Sequence, residues 1–146
     1  MRKNNSQHDY GIVSDIPQDG DVLYWLDYDT DQGILKLNGI RIQRFQWGKQ
    51  ADMLFTELFS QADDIKVLEI QDGSVDFNPI VNNIKMPLLF RKAIFRTSDS
   101  GNKMQITTRI NREMLKKHRV LQSTVDDYIT EKRDALYKSE KTNKVQ

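Results

Sequence analysis

Apolar and polar residues alternate most clearly across residues 21–45. The segment VLYWLDY, residues 22–28, is rich in aliphatic and aromatic residues and predicts a β-strand. The turn residues DTDQG follow, and ILKL and IRIQ then flank Asn38-Gly39, a pair preferred in two-residue hairpin turns because both positions need positive φ. Such a turn pairs Leu37 with Ile40 and Leu35 with Ile42 across the two strands. The pattern predicts a three-stranded antiparallel meander with one apolar face.

Residues 49–62 have helical rather than strand periodicity. Apolar residues recur at intervals of three and four, which is one face of an amphipathic α-helix. The predicted face consists of Ala51, Leu54, Phe55, Leu58 and Ala62. We expect this helix to cover the apolar side of the meander, because a small sheet needs such a cover.

Two further helices are predicted after a connection at residues 63–78, in which residues 65–70 fit a short strand and a turn of helix equally well. Asn78 and Pro79 have the residue types of an N-cap and a first helical position. Pro87 cannot continue a helix, so we expect a break at residues 85–86 and a third helix from Pro87. The side chains expected to face the core are Ile80, Val81, Ile84, Leu88, Leu89 and Ala93.

The rest of the chain predicts a hairpin and a final helix. The turn residues TSDSG, 97–101, precede an alternating run in which Met104, Ile106, Thr108 and Ile110 share a face, as in a strand. Residues 123–137 predict a last helix with Ser123 or Thr124 as its cap. The polar residues 1–20 and 138–146 predict a flexible lead-in and a disordered tail. We therefore expect one domain over residues 21–119.

Charge is divided unevenly along the 146 residues. Residues 1–78 contain 7 basic and 14 acidic side chains, whereas residues 79–146 contain 15 basic and 7 acidic ones. Ten basic side chains lie between Lys85 and Arg119, where only Asp99 and Glu113 oppose them. Such asymmetry indicates either an anionic partner for the second half or packing of the two halves against each other.

No catalytic or metal-binding motif stands out. The chain has no cysteine, and neither a nucleophile elbow nor a phosphate-binding glycine loop is present. The acidic run 27–33 lacks the Gly and Glu spacing of an EF-hand, so it predicts a solvated turn. His8 and His118 are isolated and predict surface histidines. We expect a non-catalytic protein without a cofactor or a metal.

The basic stretch is the remaining functional signal. Affinity for nucleic acid comes largely from Lys and Arg side chains that neutralise phosphates, and base recognition needs polar side chains on an exposed helix face. The candidate DNA-contacting residues are Asn82, Asn83, Lys85, Arg91, Lys92, Arg96, Lys103 and Arg109.

The predicted order of elements over residues 21–110 resembles the winged-helix output domain of response regulators and related transcriptional regulators. GILKLNGIRI is similar to the strand–turn–strand that precedes the first helix in that family, and KQADMLFTELF stands where that helix would be. RKAIFRTSDSGNKMQITTRI is similar to the end of a recognition helix running into the wing. The resemblance implies an α+β fold with an N-terminal antiparallel meander, a trihelical core and a C-terminal β-hairpin wing.

The expected function is non-catalytic binding of double-stranded DNA, as a transcriptional regulator or accessory factor. The alternative is an adaptor whose basic face binds an acidic protein partner. No apolar run approaches the ~18 residues of a membrane span, and the N-terminus has no apolar segment of a secretory signal. These features, with the absence of cysteine, favour a cytoplasmic location.

Overall fold

The computed structural model describes the backbone of residues 21–145 and the side chains of residues 21–138, so the lead-in predicted at residues 1–20 lies outside the described residues. Within these described residues the fold is mixed α+β, with two antiparallel sheets and five helices. The strands are β1 (Val22–Asp29), β2 (Ile34–Leu37), β3 (Ile40–Arg44), β4 (Ile65–Glu69), β5 (Phe95–Thr97), β6 (Lys103–Thr107) and β7 (Arg109–Asn111). The helices are α1 (Gln50–Phe59), α2 (Phe77–Asn82), α3 (Leu88–Ile94), α4 (Arg112–Lys117) and α5 (Gln122–Val145).

The first sheet has the strand order β3-β2-β1-β7, and the predicted meander is confirmed. Asn38 and Gly39 both have positive φ, and Leu37 pairs with Ile40. The predicted pairing of Leu35 with Ile42 is wrong. A bulge makes Leu35 pair with Gln43, because the bulged strand carries one extra residue while Leu35 and Ile42 still reach the core.

The apolar face of this sheet is covered by α1, as predicted. Leu54, Phe55 and Leu58 are buried, and Phe55 stacks within an aromatic cluster that includes Tyr28. The predicted face is too long at its C-terminal end, since α1 ends at Phe59 and Ala62 is exposed beyond it. Asp52 is buried in the first turn, where its carboxylate accepts hydrogen bonds from the Tyr28 hydroxyl and from the Gly48 amide.

The second sheet has the order β4-β6-β5, which settles the ambiguous segment at residues 65–70 as a strand. The run predicted as one strand through Ile110 is divided at Thr108. The Thr108 amide donates to the Asp64 carbonyl beside the second sheet, and the Leu26 amide donates to the Thr108 carbonyl in the first sheet. Thr108 is therefore the point at which the chain passes from one sheet to the other.

The predicted break at residues 85–86 is confirmed, but the ends of the two flanking helices differ from the prediction. Asp76 caps α2 by accepting from the Asn78 amide, so Asn78 lies inside the helix rather than at its cap. Leu88 and Leu89 were expected in the core, yet they are 53% and 49% exposed. The buried residues of α3 are Phe90, Ala93 and Ile94. These three residues have the i, i+3, i+4 spacing of one helix face. Leu88 and Leu89 lie before Phe90, the first residue of this buried face, and are not part of it.

The C-terminal helix α5 packs along the first sheet. Val125 is fully buried, and the Tyr24 hydroxyl donates to Asp126 Oδ1 at 2.6 Å. The helix continues past the predicted end at Tyr137 to Val145, over residues predicted to be disordered. Lys and Glu in this segment favour a helix, although their composition also suits a solvated tail. Residues from both sheets and all five helices contribute to one hydrophobic core.

Candidate nucleic-acid interface

Three of the eight candidate residues lie together at the turn between α2 and α3. Asn82 ends α2, Asn83 follows it, and Lys85 lies in the turn, with all three side chains exposed. Gln43 of β3 holds this turn, because its side-chain amide donates to the Asn83 carbonyl and its oxygen accepts from the Lys85 amide. The turn thus presents polar and basic side chains from a fixed backbone.

Helix α5 holds the same turn. The Tyr128 hydroxyl donates to the Lys85 carbonyl at 2.5 Å. Burial, followed by the charge of Glu131, raises the pKa of Tyr128, so this hydroxyl stays protonated at neutral pH. Since α5 and β3 bind the turn, the C-terminal helix contributes directly to the candidate surface.

Arg91 and Lys92 are neighbours in α3 with different environments. Arg91 Nη1 donates to the carbonyls of Asn82 and Ile84, at 3.3 and 3.5 Å. Its guanidinium therefore satisfies carbonyl groups at the end of α2 and ties the two helices together. Lys92 is exposed. Of these two predicted contacts, Lys92 is available to a ligand, whereas Arg91 is committed to the turn.

The remaining three candidates lie elsewhere and contact other residues of the fold. Lys103 Nζ is 3.7 Å from Glu69 Oε1, across the β4–β6 pair. Arg109, in the first sheet, has Nε 4.0 Å from Asp64 Oδ2. Arg96 Nη2 is 3.1 and 3.2 Å from the two ring nitrogens of His118. His118, predicted to be a surface histidine, is partly buried.

The hairpin formed by β5 and β6 is attached to the body of the protein at its tip. The Phe77 amide donates to the Gly101 carbonyl, and the Ile70 amide donates to the Asn102 carbonyl. Gly101 is buried against the side chain of Asp76, the N-cap of α2. A tip that caps a helix start is held in place, so it does not extend as a free arm.

Sequence reasoning missed the apolar part of this surface. Leu88 and Leu89 open α3 between the exposed lysines Lys85 and Lys92. Counting back from Phe90 in steps of three and four residues would have placed both leucines off the buried stripe. Basic side chains of α4 add to the charge nearby, since α3 and α4 are in contact. The exposed members of this second group are Arg112, Lys116 and Lys117, with Arg119 just beyond the helix.

The structure also bears on metal binding and on membrane insertion. Among the residues that the structure describes, no group of three or more His, Asp or Glu side chains is arranged to hold a metal ion. In the same part of the chain, no helix combines the length and the apolar composition that crossing a bilayer needs. No family model, no curated protein and no solved structure matches this chain.

Proposed function

We propose that the chain binds double-stranded DNA without catalysing a reaction, and that the α2–α3 turn and the exposed side of α3 form the contact. The element order of residues 21–107 is three strands, a helix, a strand, two helices and a hairpin. Apart from the strand at residues 65–69, where the sequence left strand and helix open, this order is similar to the one on which the winged-helix resemblance was based. The proposed interface is smaller than the one predicted. It consists of Asn82, Asn83, Lys85 and Lys92.

The observation that carries the proposal is the exposure of two lysines, Lys85 on the fixed turn and Lys92 on the following helix α3. Within residues 21–138, neither lysine forms an ion pair with a carboxylate. Lysines that keep their charge uncompensated can neutralise phosphates and release counterions, which drives binding to duplex DNA. The side chains of Asn82 and Asn83 supply amide groups of the type that pairs with adenine.

The experiment is a salt titration of binding to a labelled random-sequence duplex, followed by fluorescence anisotropy. We expect the logarithm of the association constant to fall linearly with the logarithm of salt concentration, with a slope of about −0.9 per phosphate neutralised. Polyglutamate, which is negatively charged like the duplex, serves as a competitor for the protein. If the protein does not bind the duplex at low salt, the proposal fails.

A second candidate function, binding to an acidic protein partner, is favoured by the two exposed leucines of α3. The major groove offers little apolar surface apart from thymine methyl groups, whereas protein interfaces bury leucine readily. The double variant Leu88→Gln/Leu89→Gln separates the two functions. If the surface binds DNA, this variant should keep its affinity for the duplex. A large loss of affinity for the duplex would show that the leucines contribute to binding together with the lysines.

A further inference from the structure

One face of the second sheet carries a row of polar side chains. Gln105 in the central strand β6 lies directly opposite Arg96 of β5, and residues paired in this way project to the same side of an antiparallel sheet. Thr107, two residues further along β6, projects to that side as well. The opposite face carries Phe95, Ile106 and other core residues. The polar row and the core residues Phe95 and Ile106 therefore lie on opposite faces of this sheet.

This polar row is buried although several of its polar atoms lack hydrogen-bond partners. Gln105 is 0% exposed and Thr107 is 1% exposed. Four buried atoms have no hydrogen-bond partner among the described residues: Gln105 Nε2, Gln105 Oε1, Thr107 Oγ1 and Arg96 Nε. Buried polar atoms of folded proteins are nearly always hydrogen-bonded, and a cluster of unpaired ones indicates a bound water or ion.

The charge at this cluster is positive. Arg96 touches His118, and both side chains are partly buried, which lets the cluster reach solvent on their side. The pKa of His118 is lowered by burial and then by the charges of Arg96 from β5 and Lys117 from α4. Burial also lowers the pKa of Arg96. The charged groups that act on His118 are therefore both cationic, and an anion would relieve their repulsion.

We propose that Arg96, Gln105, Thr107 and His118 form a binding site for inorganic phosphate. The Arg96 guanidinium provides a fork of N–H donors that fits an oxyanion, and the Gln105 amide and the Thr107 hydroxyl add two neutral donors. Gln105 Oε1 is an acceptor, so it needs a ligand with a hydroxyl group. Protonated phosphate has a P–OH group, whereas sulfate at neutral pH and a nucleic-acid phosphodiester do not.

Phosphate binding should change the protonation of His118. An anion beside the imidazole favours its charged form, so the pKa of His118 rises when phosphate binds. By linkage, phosphate binds more tightly as the pH falls through the range in which His118 titrates. Sulfate provides a reference here because its own charge stays constant in this range.

The test uses the full chain in a His8→Gln background, which leaves His118 as the sole histidine and as an NMR reporter. Phosphate, sulfate and chloride are compared at equal ionic strength by thermal midpoint and by the titration of the His118 ring. We expect phosphate to raise both the thermal midpoint of unfolding and the pKa of His118. Sulfate should raise them less, and chloride should leave them unchanged. Equal values in phosphate and chloride would mean that water alone fills the site and would overturn the proposal.

Two variants and a control locate the effect. Gln105→Leu removes both amide atoms at similar volume, and Arg96→Lys keeps the charge while removing the fork. Each should weaken phosphate binding roughly tenfold or more, which corresponds to one lost hydrogen bond to a charged group. The exposed Lys92→Ala should bind phosphate as the parent does. An equal loss in Lys92→Ala, or equal binding of a dinucleotide phosphodiester, would overturn the assignment.

Discussion

Two hairpin turns, one in each sheet, use glycine in the same backbone conformation but in different surroundings. Gly39 in the first sheet has φ of +77° and nothing near the position of a Cβ atom, whereas Gly101 in the second sheet has φ of +78° and lies against Asp76. The first turn depends on its own residues, and the second depends on contact with α2. Local sequence therefore specifies the first sheet more completely than the second.

The largest expected effect comes from Leu58, which belongs to the helix that joins the two regions. It is fully buried in α1, and α1 contacts both β1 and β4. We expect Leu58→Ala to lower the free energy of unfolding by about 2–5 kcal/mol, the cost of a cavity in a packed core.

Chemical denaturation followed by far-ultraviolet circular dichroism and by tryptophan fluorescence measures this loss. Met53→Ala is the matched control, since Met53 lies in the same helix but is largely exposed. One transition with coincident probes is expected for both variants, because both sheets share the core. Two separate transitions would show that the sheets unfold independently.

The next largest effect is the difference in stability loss between equivalent glycine substitutions in the two turns. Gly101→Ala should cost about 2–4 kcal/mol, because it adds left-handed strain to the displacement of the Asp76 cap. Gly39→Ala, with the same φ and open space, should cost only about 1–2 kcal/mol. The two variants are compared by their denaturation midpoints at equal slope. Equal costs would contradict the difference in surroundings between the two turns.

A smaller effect tests how α5 is held on the first sheet. Tyr24→Phe removes the hydroxyl that donates to Asp126 and leaves the buried ring, which packs edge-on against Phe90. We expect a loss of about 0.5–1.5 kcal/mol, the net value of one hydrogen bond. Hydrogen exchange of α5 amides should accelerate more than that of α1 amides. A uniform acceleration would mean that α5 is not separately held by this contact.

The sequence predicts those parts of the fold that are determined by residues close to one another along the chain. Asn38-Gly39 defines its turn through positive φ, and the spacing of Leu54, Phe55 and Leu58 defines the buried face of α1. The limit of such reasoning is visible at Thr108. The alternation of Ile106, Thr108 and Ile110 continues across this residue, so no local pattern marks the change from one sheet to the other. The change is made by backbone hydrogen bonds of Thr108 with Asp64 and Leu26.

The candidate site shows the same limit. Residue type correctly identified Lys85 and Lys92 as exposed cations, because lysine is rarely buried. It could not foresee that Arg91 would bind the carbonyls at the end of α2, or that Lys103 would pair with Glu69. Those partners lie on other elements, and their proximity follows from the tertiary fold alone.

The most direct test of the proposed DNA contact compares two double variants on the same random duplex. Lys85→Ala/Lys92→Ala removes two exposed lysines of the α2–α3 surface, and Lys103→Ala/Arg109→Ala removes two cations that face carboxylates. We expect the first variant to flatten the log–log salt slope by about two units and the second to leave it nearly unchanged. Equal flattening by both variants, or a slope unchanged in the first, would contradict the account.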